Sequence, residues 1–422
     1  MSVFLIAAWN WFLARVRERG LRYWTSAIIV LIASVAATPF IYDFFQLDTA
    51  RSHLFQWLAA SPPRPLEPRF VKVVLIGDDE YWLGTLAGRR PVKRGYLADL
   101  VQRLDQAKAQ VVALDFDLRL ADPTSNSVSS DYEEETATLI GKIVSAAANG
   151  TKLVLSRALW TDGKGGYILD PDAYQAFGLC VSLRPDGRWD NPGTPAIPVN
   201  AEAARNISCG YIALPYDELV LPGQLKLASA QYLDSFALAI ARAKNPDAVA
   251  GIDATLSYAN YISRQTLEDK HAIFWAGDLV RGKVPGEELR GQTIIVGADW
   301  STLAAGRGQS IDAHQTPVGT IVGALIHDNF VEALLDSRVY VATSGRLIEG
   351  AEVLFGVIAT ILFALLARLW TKLIGVVVLS GLLILIQRTV LHEFGIFFDA
   401  FIPLLAVWLH SIYDRLIGAD GG

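Results

Sequence analysis

The sequence predicts an extracytoplasmic three-layer α/β domain with a mostly parallel sheet, joined to about four transmembrane α-helices. Three observations predict it. Long apolar runs gather near the N-terminus and after about residue 346. An ordinary globular composition lies between them. Within that middle region, continuous β-branched runs alternate with amphipathic helical segments, the pattern of strands covered on both faces. The 422 residues are 52% hydrophobic and only 19% charged, where a soluble domain carries about a quarter charged residues.

The first span is read at Tyr23 to Tyr42, 20 residues without a charge, enough to cross a ~30 Å hydrocarbon core. Tyr23, Trp24 and Tyr42 fit interfacial belts at its ends. Residues 1–13 are apolar but too short to span, and read as an interfacial helix. Arg15, Arg17, Arg19 and Arg22, opposed only by Glu18, read as a cytoplasmic topology signal. Three further runs are read as spans at Leu347 to Ala367, Leu373 to Leu391 and Phe394 to Tyr413. The charge-free cores of the first two of these are short, so a re-entrant hairpin is the alternative. The basic turn from Arg368 to Lys372 belongs inside. Positive residues then place the N-terminus inside, residues 43–346 outside, the loop Arg388 to Glu393 outside and the tail 414–422 inside.

Within the outer region, Asp43 to Ala60 has helical apolar spacing and reads as a stalk, ended by the four prolines of the linker that follows. The domain proper is read over residues 70–345. Strands are expected at Val71 to Ile76, Gln110 to Asp117, Lys152 to Leu155, Ala272 to Trp275 and Gln292 to Val296. Helices are expected at Gly95 to Ala107, Tyr132 to Ala148, Tyr232 to Ala243 and Gly319 to Leu335. Residues 161–200, rich in glycine and proline, read as an insertion over the sheet.

The blocks VVLIGDDEYW, RPVKRGYLADLVQRLDQAKAQVVALDF, GEELRGQTIIVGADW and TPVGTIVGALIHDNFVEALL, in that order, resemble the second class of CHASE domains, the cyclase/histidine-kinase-associated sensing extracellular domains. The resemblance covers roughly residues 45–415. It implies a bacterial inner-membrane protein with an extracytoplasmic, periplasmic sensor, one span before it and three after. Such sensors usually feed a cytoplasmic cyclase or kinase and signal as dimers, so a homodimer is expected. No output domain is read on this chain, which points to a separate signalling partner. Block by block, the family's acids and bases fall on Asp78, Asp79, Arg94, Asp115 and His327, with Gly297 after the last strand. Two departures stand out. Arg90-Pro-Val-Lys-Arg94 replaces a Trp-rich helix start, and Asp217-Glu-Leu-Val-Leu-Pro replaces an Asp-Gly-Val-x-Arg-Arg segment.

Ligands of open α/β sheets bind beyond the carboxyl ends of the strands. Asp78, Asp79, Asp115, Asp117 and Asp299 follow strands there, and with Arg94 and His327 they are candidates for a polar ligand pocket. A divalent cation is the less favoured occupant, and the reading that these acids merely cap helices outweighs both. No metal, cofactor or catalytic residue is assigned, because no nucleophile elbow, zinc-binding His pair or phosphate loop is present in the sequence. Cys180 and Cys209, the two cysteines, are candidates for a disulfide in an oxidising compartment, against two separate thiols. Asp399 is an acid within the fourth span, near its outer end. The net charge of −6 argues against nucleic acid as a partner. Three functions remain open: a sensor acting through the bilayer on a separate partner, a structural scaffold of an envelope complex, and, ranked last, a membrane enzyme or transporter.

Overall fold

The computed structural model describes residues 66–118, 129–157, 201–214, 232–252, 261–303 and 307–341, with short pieces between them, and, outside these, 48–59, 345–366, 369–397 and parts of 14–36. The chain divides into two compact units, Arg64–Val341 and the pair of segments Met1–Pro63 and Ala342–Gly422.

In the first unit, β1 (Val71–Gly77), α2 (Arg94–Gln106), β2 (Val111–Leu114), α3 (Tyr132–Ala148), β3 (Lys152–Arg157) and β4 (Ile207–Tyr211) follow one another. Then come α4 (Phe236–Lys244), α5 (Arg264–Asp269), β5 (Ile273–Trp275), the short helices α6 (Ala276–Val280) and α7 (Gly286–Leu289), and β6 (Thr293–Asp299). The hairpins β7–β8 (Ser301–Leu303, Arg307–Ser310) and β9–β10 (Ala313–Thr316, Gly319–Val322) lead into α8 (Gly323–Leu335). Six strands form one sheet in the order β5-β1-β6-β2-β3-β4, and every pairing in it is parallel.

Period-two alternation splits the strand side chains between two cores. Val74, Ile76, Val112, Leu114, Ile294 and Val296 face α2 and α3. Val73, Leu75, Val111, Ala113 and Ile295 face α4 and α8. Each fully buried Leu, Ile or Val contributes about 1.5–3 kcal/mol, so a strand apolar on both sides is stable only between two helical layers. The mostly parallel sheet expected from sequence is therefore present.

Several boundaries differ from expectation. The expected helix from Tyr232 starts only at Phe236, after a strand at Tyr232–Asp234. Ser235 stops it earlier, with an extended backbone and a side chain that accepts from the Leu238 N–H at 3.2 Å. The expected helix from Gly319 starts only at Gly323, because Thr320, Ile321 and Val322 pair in a hairpin with Gln315, His314 and Ala313. β2 ends at Leu114 rather than Asp117. β4 was not expected at all; its short sequence, Ile-Ser-Cys-Gly-Tyr, carries almost no apolar run.

In the second unit, α1 (Asp48–Ala59) packs on α10 (Leu369–Phe394), where the His392 imidazole lies 2.9 Å from the Leu58 carbonyl. Leu31 packs with Ala359 of α9 (Gly345–Leu365) and Leu379 of α10. Among the described residues, one helix, Trp370–Phe394, is long and apolar enough to cross a membrane. Ile374, Val377, Val378 and Leu385 lie on its exposed surface. That helix runs through Arg388–Glu393, which had been expected to form an outer loop. Half of Tyr23–Tyr42, most of the expected fourth span, Asp399 and Cys180 lie outside the described residues.

Candidate functional site

The strand ends supply the site. β1 turns directly into a π-helical turn at Asp79–Leu83, β5 runs into α6, and β6 passes through Trp300 into β7. A cleft of about 580 Å³ opens between these three exits at the carboxyl edge of the sheet. Asp78, Asp79, Glu80, Asp278 and Asp299 line it, against Arg281 as the lining cation.

Each of four carboxylates has a definite partner. Asp78 accepts from the Ser301 N–H at 2.7 Å and from its hydroxyl at 2.8 Å. Glu80 meets Arg281 at 2.8 Å and accepts from the Tyr96 hydroxyl at 3.2 Å. Asp278 pairs with Arg281 at 3.1 Å and Lys283 at 3.3 Å, which together hold its carboxyl below the usual range, the Arg281 hydrogen bond foremost. Asp299 pairs with Arg264 at 2.8 Å. Burial nonetheless pushes the Asp299 carboxyl up, with the Asp78 charge adding to it. Asp79 is exposed at the cleft. Gly277 permits the close approach, since a methyl there would overlap the Glu80 carboxylate.

Two indoles complete the walls. Trp275 is 42% exposed, and its ring covers Gly77. Trp300 is buried and stacks on Tyr81 with ring centroids 4.1 Å apart. Its indole N–H has no acceptor among the described residues.

The expected site residues thus fall into three settings. Asp78, Asp79 and Asp299 share the cleft. Asp115 and His327 form a second setting, 3.9 Å apart beneath the first turns of α8. Burial raises the Asp115 carboxyl to about 8, with Asp312 reinforcing the shift. Burial lowers the His327 imidazole to about 4. Both side chains are therefore neutral near pH 7, and the His327 Nδ1 has no partner among the described residues. Gly297 makes this packing possible, because a methyl there would strike the Ala324 side chain.

Arg94 belongs to a third setting. It is 2% exposed, donates to Thr136 and to the Leu118 carbonyl at 2.9 Å each, and lies over the Tyr132 ring. Its backbone N–H donates to Glu135, which also takes two hydrogen bonds from Arg89. Arg94 braces α2 against α3 and does not line the cleft. Asp117 is exposed, and its charge acts on Arg94.

Sequence reasoning missed Glu80, Trp275, Asp278, Arg281, Trp300 and Ser301. Glu80 directly follows the predicted acids, and Trp275 and Trp300 each end a strand. That position, beyond the last apolar residue of a strand, is the signal that finds them. Cys209 is disulfide-bonded, and no cysteine is free among the described residues. Also among the described residues, no group of three or more His, Cys, Asp or Glu is placed to hold a metal ion.

A family model described as the CHASE2 domain matches residues 26–368. No curated protein and no solved structure matches the chain.

Proposed function

The chain belongs to the CHASE2 domain family, and from that premise we propose that the unit Arg64–Val341 is an extracytoplasmic sensor whose ligand is a small amine. CHASE2 domains are sensory and extracellular, which sets the class of function. The observation that carries the finer reading is the cleft, where five carboxylates outnumber their three basic partners, Arg281, Lys283 and Arg264, beside an exposed indole. Such a lining favours a cationic group, held by charge and by the π face of Trp275. In this reading the cleft binds its ligand without transforming it.

In this reading the unit is carried on a multi-pass inner-membrane scaffold with its N-terminus inside. The exposed apolar surface of α10 and the Arg15–Arg22 cluster support that placement. The ligand shifts a two-state arrangement of the flanking helices, which a separate cytoplasmic or membrane partner reads, with a homodimer as the working unit.

Thermal unfolding of the full chain with a panel of hydroxylated and plain amines tests the ligand class. At least one amine should raise the Tm of the wild type and leave Gly277→Ala unmoved, because the added methyl displaces Glu80 and Arg281 into the cleft. Equal shifts in both proteins, or none across the panel, would remove the cleft from the account.

A further inference from the structure

Helix α8 carries a feature that the cleft does not use. Asp328 and Glu332 sit one turn apart on it, 0% and 1% exposed. Glu332 accepts from the backbone N–H groups of Arg69, Phe70 and Val71 at 2.9, 2.7 and 2.8 Å through a single oxygen, Oε1. Its other oxygen and both oxygens of Asp328 have no partner among the described residues. The three amides held by Glu332 lie where the chain passes into β1, close to the start of this unit at Arg64.

Two carboxylates one turn apart in an apolar core cannot both ionise without severe cost. The charges on the elements packed against α8 do little to relieve it. Arg338, just beyond the helix, is the cation that favours ionisation of both acids. It is also engaged by Asp336 at 2.9 Å, which in turn reaches Arg69 at 3.5 Å. On α4, Arg242 is held by Asp234, and Lys244 by Gln110 and the Gly291 carbonyl. Lys72 of β1 donates to the His271 carbonyl, and Asp299 of β6 pairs with Arg264. Asp247 lies on the turn against α8, and β10 carries no charged residue.

We propose that Asp328 and Glu332 form a proton-binding site that clamps the start of β1 to α8, giving the domain a second input, the external proton concentration. With one proton on the pair, the Glu332 charge keeps its three amide donors and Asp328 is neutral. When that proton leaves, two buried charges repel within one turn. The repulsion is relieved by admitting water, which frees residues 69–71. Acid therefore tightens the clamp, and alkali loosens it. Burial raises both carboxyls above their ordinary range, which puts the change on the alkaline side of that range. This input is independent of the amine proposed for the cleft.

Hydrogen exchange at the amides of Arg69, Phe70 and Val71 in the full chain tests the site, with each pH corrected against an unstructured peptide. In the wild type, the corrected protection should fall about tenfold per pH unit between the ordinary carboxylate range and the raised midpoint, the slope of one linked proton. Asp328→Asn should flatten that slope while keeping the amides protected. Infrared spectra supply an independent reading. A protonated carboxyl band should persist in the wild type above the ordinary carboxylate range and be weaker in Asp328→Asn. A flat wild-type profile, a variant with the wild-type slope, or an unchanged band would each overturn the proposal.

Discussion

The acids of the cleft and the acids beneath α8 belong to one domain and meet opposite fates. Asp78, Glu80, Asp278 and Asp299 keep a donor each, from Ser301, Arg281, Lys283 or Arg264. Asp328 is fully buried with neither oxygen partnered among the described residues, and Asp115 lies 3.9 Å from His327, with the Asp312 charge also acting on it. The difference is solvent and pairing, not residue type. A carboxyl that faces water and a guanidinium stays charged and can attract a cation. One enclosed by leucines and phenylalanines holds its proton. In the proposed reading, the same side chain serves recognition at the sheet edge and proton storage inside.

The sharpest way to break that contrast is to remove the buried acid that carries the most structure. Glu332→Ala leaves three amides without an acceptor and should cost about 3–5 kcal/mol. A large fall in the Tm of the full chain would show it, and a shift of a degree or less would mean that the amides find other partners. Arg94→Met comes next. It strands the buried Leu118 carbonyl and removes the cation over the Tyr132 ring and should cost about 3 kcal/mol, yet leave amine binding intact in the folded fraction. Loss of binding with an unchanged Tm would return Arg94 to the site.

The effect expected at Asp115 is confined to part of the pH range. Its carboxyl titrates near 8 in the folded chain against about 4 when unfolded. The native state then holds the extra proton between those values, so this group's contribution to stability falls as pH rises through that window. His327, lowered to about 4, acts in the other direction and loses stability as pH falls below about 6.5. Asp115→Asn should therefore match the wild type at or below about pH 4 and exceed its Tm by a margin that grows up to about pH 8. A parallel pair of pH profiles would show that Asp115 is ionised throughout.

Much of the fold was legible because burial writes itself into the sequence. Val71–Ile76 and Thr293–Val296 are apolar on both faces, which only a strand between two helical layers requires. The buried stripe Leu97, Leu100, Val101, Leu104 showed α2 in the same way. The hairpin before α8 and the strand before α4 were hidden, since their apolar residues suit either periodicity and Ser235 alone marks the break. For the site, position at a strand end found Asp78, Asp79 and Asp299. It also gathered Asp115 and Asp117, which follow a strand but open elsewhere. Arg281 could not be found this way, because it reaches the cleft from the far end of α6. Asp328 and Glu332 were invisible for the opposite reason: on a helix, an acid pair at this spacing reads as a solvated face until the surrounding core is seen.

One labelling experiment reaches the central claim, that an outward-facing cleft takes up a small amine. Asp79→Cys puts an exposed thiol at the cleft of a chain whose one described native cysteine, Cys209, is disulfide-bonded. A membrane-impermeant maleimide should label it in intact cells, and the amine that raises the wild-type Tm should slow that labelling. Labelling that appears only after lysis, or that the amine leaves unchanged, would contradict the account.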